Sequence, residues 1–208
     1  MAAPLLPCCY LAPVSHYSAY YRADEVRIEV CDHFVKQTLR NRCWIDSPNG
    51  PLALTIPVVK TEGKILMRDV RISDHGNWRH QHWVALESSY RHSPFFEYYA
   101  DDFAPFYEKK WEFLADYNEE LMALVASLLD IRKTVMRTTS YSPLPSSPEG
   151  EGTRLSTPPL GGDRGGLGDR KGLSGPYYQV FASRHGFLPD LSIVDLLFNQ
   201  GPEGVLWL

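Results

Sequence analysis

Residues 41–58 read NRCWIDSPNGPLALTIPV, and this stretch decides the fold class. Two apolar runs, Asn41 to Ile45 and Leu52 to Val58, flank Ser47-Pro48-Asn49-Gly50. Pro followed by Asn-Gly supplies turn chemistry: a fixed φ, then a residue pair that tolerates positive φ. The stretch therefore predicts a β-hairpin. Leu52, Leu54, Ile56 and Val58 alternate along its second arm, as in a half-buried strand. Pro57 has no N–H to donate, which marks a strand end or an edge. Working outward, Val26, Ile28 and Val30 alternate with Arg27 and Glu29, a second strand signal. Met67 to Ser73 (MRDVRIS) reads as another alternating strand.

Helical spacing takes over downstream. Trp83, Leu86 and Tyr90 share one face of a helix expected from about Trp78 to His92, with Pro94 closing it. Phe103, Phe106, Leu114, Tyr117, Leu121, Leu124 and Leu128 keep a three-or-four spacing, which predicts one long helix from about Asp102 to Asp130. Lys133 to Thr139 fits a short strand, and Tyr177 to Phe181 a strand or a helix start. Ser192 and Asp195 have the spacing of a capping box, opening a helix that Gly201-Pro202 stops. The fold class is α/β: a mixed sheet with a β-hairpin, packed against a long helix and several shorter ones. Residues 141–175 are rich in Ser, Pro and Gly and offer too few apolar side chains to offset ordering entropy, so a disordered loop is expected there. The glycines of this stretch do not form the phosphate-loop pattern.

Bulk composition narrows the function classes. With 208 residues, 44% hydrophobic and 22% charged, the chain can bury the core of one domain. A formal charge of −4 argues against a nucleic-acid binder, which would have to rely on a local basic patch. No apolar run approaches the roughly 20 residues that span a bilayer, so no membrane insertion is expected. Cys8, Cys9, Cys31 and Cys43 form no C-x-x-C pair, and adjacent cysteines bridge poorly. They read as reduced thiols, which places the chain in the cytoplasm. No motif calls for a cofactor or a metal.

Four stretches hold residues that can carry chemistry. His33 to Arg42 (HFVKQTLRNR) concentrates Lys36, Gln37, Arg40, Asn41 and Arg42, and such a link either is a solvated connection or binds an anion. Asp74 to Trp83 (DHGNWRHQHW) places His80 and His82 two apart, a poor spacing for metal on a helix. Asn77 or Asp74 as a helix cap beside Trp78 is the plainer reading there, and a single His as general base the sharper one. Ser192, Asp195 and Asn199 share one face of an otherwise apolar helix. Their polar groups must find partners in the core or wall a pocket. Cys8, Cys9, Tyr10, His16 and Tyr17 gather after a first strand, where a thiol beside a histidine suggests a nucleophile, with no clear third member.

Several of these motifs together resemble the WbqC-like protein family. The resemblance rests on Lys36-Gln37 with Asn41-Arg42, Asn77-Trp78 with His82-Trp83, Ser93-Pro94-Phe95-Phe96, and Leu191-Ser192-x-x-Asp195-Leu196-x-Phe198-Asn199-x-Gly201-Pro202. It implies one domain over 1–140 and 176–208, interrupted by the loop 141–175. In layout the family is similar to a Rossmann-like, nucleotidylyl-transferase-like core. Its association with bacterial O-antigen clusters implies a transferase of surface-polysaccharide biosynthesis, acting on a nucleotide sugar, a nucleotide or another anionic donor. On that reading His16, His82 and Asp195 are the catalytic candidates. Lys36, Gln37, Asn41, Arg42, Asn77, Trp78, Ser192 and Asn199 are the ligand-binding candidates. The alternative is a non-catalytic binding or assembly protein that uses Phe95, Phe96, Tyr98 and Tyr99 as an aromatic surface. A metal- or thiol-dependent hydrolase is a third option. The family opening Gln-Pro-x-Tyr-x-Pro-Trp-x-Gly-Tyr is altered here to Cys8-Cys9-Tyr10-Leu11-Ala12-Pro13-Val14-Ser15-His16-Tyr17, which lacks the Gln-Pro, the Trp and the Gly.

Overall fold

A computed structural model describes residues 3–141 and 175–208. The expected loop at 141–175 falls almost wholly outside the described residues.

Three strands, β1 (Leu5–Pro7), β2 (Glu25–Glu29) and β5 (Thr134–Arg137), form a parallel sheet in the order β1-β2-β5. Leu5 pairs with Arg27 and Pro7 with Glu29, while Glu25 pairs with Thr134 and Ile28 with Arg137. Parallel neighbours need a crossover. Helix α1 (Val14–Arg22) provides the first one and buries Val14, Tyr17 and Tyr20 on one face. This helix was not legible in the sequence, because its tyrosines and serines have modest helix propensity.

Strands β3 (Arg42–Ile45) and β4 (Leu52–Thr55) pair antiparallel as a separate two-stranded sheet, with Arg42 opposite Thr55 and Ile45 opposite Leu52. The turn closes through reciprocal backbone bonds between Ser47 and Gly50, and Gly50 holds a φ of 97°. The hairpin is where the Pro-Asn-Gly signal puts it.

Residues Met67 to Ser73 are not a continuous strand. Met67–Asp69 make one 3-10 turn, and only isolated bridges follow, Val58 to Ile72 and Arg71 to Phe113. The buried positions are Met67, Val70 and Ile72, so the first spacing is three rather than two, which suits a tight turn.

Helix α2 (Trp78–Tyr90) matches its expectation. The expected long helix is two: α3 (Phe96–Glu108) and α4 (Leu114–Leu128). Between them the chain extends, and its backbone bonds go sideways, from Ile72 N to Glu112 O and from Leu114 N to Val70 O, both 2.9 Å. Trp111 stacks on Phe106 at 5.6 Å, so the apolar spacing runs through the break unchanged. Periodicity reports a shared buried side, and both helices have one. Tyr177 to Phe181 is irregular and leads into the short α5 (Ala182–His185).

Helix α6 (Ile193–Gln200) lies at the centre of the core. The Phe198 ring meets Tyr90, Phe96 and Phe103 at 5.2–5.4 Å. Burying such a ring contributes about 2–3 kcal/mol. Among the described residues no helix is long and apolar enough to cross a membrane.

Candidate functional site

The eleven sequence-derived candidates separate into groups. Asn41, Arg42 and His82 come together around the end of β4. Asn41 is buried, its Oδ1 accepts the Gln37 N–H at 3.1 Å, and its Nδ2 donates to Ile56 O at 2.9 Å. Arg42 Nε donates to Thr55 Oγ1 at 2.8 Å. Lys36 and Gln37 lie exposed on the preceding turn, where Gln37 takes a φ of 61°.

His82 sits inside this corner. Burial pushes its imidazole down to about 4, against a hydrogen bond to the Thr55 backbone that pulls the other way. The ring is therefore neutral at pH 7. With its other nitrogen donating at Thr55, Nδ1 is left to accept from the Tyr10 hydroxyl, 3.0 Å away. Tyr10 in turn lies 3.1 Å from the Tyr107 hydroxyl. His82 is thus linked through Tyr10 to Tyr107 by a chain of buried contacts.

Tyr107 also walls an open cavity of about 380 Å³, shared with Gly76, Asn77, Arg79, His80, Trp83 and Glu108. Asn77 caps α2 by position without a side-chain hydrogen bond, so the first N–H groups of the helix keep no side-chain acceptor there. Trp78 is buried beneath, held by its indole N–H on Ser73 O at 3.1 Å. The Arg79 guanidinium packs over the Trp78 ring at 4.7 Å, and its side chain is only 13% exposed. One end pairs with Asp74 at 2.8 Å, but Nε has no acceptor. Tyr117, fully buried with its ring edge on Trp78, turns its hydroxyl toward that of Tyr107. A buried donor without an acceptor, such as Arg79 Nε, is a group that water or a polar ligand can satisfy. A larger cavity of about 790 Å³ lies between α4 and β5, but the Arg137 that lines it is already bound to Asp116 and Glu119.

The family assignment follows from residues 9–153, which match the model of the WbqC-like protein family. The chain belongs to the WbqC-like protein family. It is also similar to an uncharacterized protein of Mycobacterium tuberculosis (strain ATCC 25618 / H37Rv), Rv1507c, with 29% identity over 208 residues that cover 86% of this chain and 85% of the relative. No solved structure matches.

The other candidates of this WbqC-like chain lie elsewhere. Ser192 Oγ donates to Leu11 O at 2.8 Å and accepts the Val194 N–H at the start of α6. Asp195 does not complete a capping box. Its carboxylate is turned into the core and accepts from Tyr90 (2.8 Å), Tyr177 (2.6 Å) and Gln179 (2.8 Å). Burial raises the Asp195 carboxyl to about 6, against these three bonds. Asn199 donates to Asp195 O at 2.7 Å, and its own Oδ1 has no partner. The same network reaches Asp46, whose N–H donates to the Tyr90 hydroxyl and whose carboxylate lies 3.1 Å from His185 Nε2. Tyr90 carried no functional signal in the sequence, because a tyrosine at an apolar helical position reads as core, and Tyr177 and Gln179 lie in an irregular segment that matches no motif.

His16 is apart from both groups, buried on α1 with Nε2 3.0 Å from Pro7 O, and burial pushes it down to about 4. Cys8 and Cys9 are buried, and burial raises the Cys8 thiol and pushes Cys9 up to about 12. Such thiols stay protonated and are poor nucleophiles. The aromatic surface expected of Phe95, Phe96, Tyr98 and Tyr99 does not form: Phe96 and Tyr99 are buried and Phe95 is half-buried, leaving Tyr98 alone exposed at 78%.

Proposed function

We propose that this WbqC-like chain is a transferase that holds an activated sugar, or another anionic donor, in the cavity at the start of α2. The observation that carries the reading is the meeting of an aromatic wall, Trp83 and Tyr107, with the Arg79 side chain and an uncapped helix N-terminus. A ring can stack on the first and a phosphate can bind the second. In this reading Asn77 and Arg79 hold the anion, and Trp78 supports Arg79 from below. Neutral His82 orders the hydroxyls of Tyr10 and Tyr107. The resemblance to proteins of bacterial surface-polysaccharide clusters supports a sugar donor, and four free thiols suit work in the cytoplasm.

A thermal-shift panel of nucleotide sugars and nucleotides tests this, because a ligand bound only by the folded chain raises Tm. At least one anionic nucleotide is expected to stabilise the protein, with the response lost in Trp83→Ala and Arg79→Ala. A panel in which none stabilises it rules the reading out.

A further inference from the structure

A second opening lies at the carboxyl ends of the parallel strands and shares no residue with the cavity above. It has a volume of about 450 Å³ and is lined by Cys31, His33, Leu66, Arg68 and Thr139 to Tyr141. In open α/β sheets the carboxyl ends of the strands are where ligands gather, because the loops diverge there.

Backbone pairing fixes the walls. Just past β2, Phe34 N bonds to Ile65 O, Met67 N to Asp32 O and Arg68 N to Val30 O, at 2.8–2.9 Å. Just past β5, Thr138 N bonds to Ile28 O, and its hydroxyl bridges Val30 N and Glu29 Oε1. Glu29 also accepts the Cys31 N–H at 2.7 Å. His33, Arg68 and Thr139 are therefore set on a rigid base rather than on free loops.

The lining contains Arg68, His33 and the hydroxyls of Thr139 and Ser140, and no carboxylate among its residues. The nearest carboxylate to Arg68 is its neighbour Asp69, 3.8 Å from Nε, with both side chains about half exposed. Such a contact is worth little in water and leaves the guanidinium fork available. Its Nη1 lies 3.7 Å from Cys31 Sγ, at the floor of the opening. Leu66 and the Tyr141 ring supply an apolar side for the carbon skeleton of a ligand.

We infer that this opening binds the phosphate group of a small phosphorylated molecule, with Arg68 as the principal contact and His33 and the hydroxyls completing it. The site is independent of the donor cavity, and either can fail without the other.

Calorimetric titration of the full chain with inorganic phosphate and, separately, with a hexose 1-phosphate tests it. Arg68→Ala is expected to weaken binding by about tenfold or more, the usual cost of losing a charge-assisted bond. His33→Ala should weaken it less. Arg132→Ala, which removes the same charge from an exposed site beside Asp130, should bind as the parent does. Tighter binding of the sugar phosphate assigns the site to a phosphorylated metabolite, and equal binding to free phosphate. Both outcomes support a phosphate site. No heat with either probe, or equal weakening by Arg68→Ala and Arg132→Ala, overturns it.

Discussion

Tyr90 donates its hydroxyl to the Asp195 carboxylate across 2.8 Å, joining α2 to α6 at a point where both residues are buried. The same oxygen accepts the Asp46 N–H at 3.1 Å, so one phenol ties the hairpin turn to both helices. Tyr90→Phe keeps the ring and removes both bonds. It should cost about 1–3 kcal/mol, since a buried amide and a buried carboxylate each lose a partner. Urea titration measures this. A loss within error of zero would mean that water enters and replaces the hydroxyl.

Asp195 should make stability fall as pH rises. Its folded value of about 6 lies above that of an ordinary carboxyl, so the folded chain binds the extra proton. That contribution is present below about pH 4 and is lost as pH passes through 6, amounting to about 3 kcal/mol. Stability of the parent relative to Asp195→Asn should therefore increase from pH 7 to pH 4.5. Parallel curves for the two proteins would show that Asp195 does not titrate in this range.

His16 and His82 act with the opposite sign. Both are pushed down to about 4 by burial, so folding releases protons from them. Their contribution is present above about pH 6.5 and is lost as pH falls through 4. Imidazole proton resonances followed by NMR should stay fixed for both rings until the pH is below about 5. A midpoint near 6.5 for either ring would show that water reaches it.

Asn41 is expected to matter for stability rather than for binding. It closes the turn through Gln37 N and holds Ile56 O just past the end of β4. Asn41→Ala should cost about 1–3 kcal/mol through two lost buried bonds. The ligand response in thermal shift should persist on the lowered baseline. Selective loss of the response with unchanged stability would return Asn41 to the binding role that its sequence position first suggested.

Gly201 should not tolerate alanine. It ends α6 with a φ of 60°, and a Cβ there would lie 2.6 Å from two atoms of the Phe95 ring. Backbone strain and overpacking together should cost about 2–4 kcal/mol. Thermal denaturation of Gly201→Ala checks this, and an unchanged Tm would mean that Phe95 swings aside freely.

Local rules read much of this protein from its chain. Pro48-Asn49-Gly50 specified the hairpin, the alternation from Val26 to Val30 specified β2, and Ser192 with Gly201-Pro202 set both ends of α6. These signals lie within a few residues of what they determine, so they need no knowledge of partners. The break between α3 and α4 did not show, because it is made by hydrogen bonds to residues 70–72, which lie some forty positions upstream. Asp195 illustrates the same limit: its spacing from Ser192 suits a cap, yet burial beside Tyr90 and Tyr177 gave its carboxylate stronger partners.

The α/β class, the hairpin and the family were readable from the chain alone, because turn chemistry, periodicity and motif spacing are local or linear properties. The fold in three dimensions settled which polar residues lie together. Asn77, Arg79, Trp83 and Tyr107 meet because α2 packs on α3, and His82 is neutral because the core closes over it. Burial and orphaned hydrogen bonds exist only once distant segments are brought together.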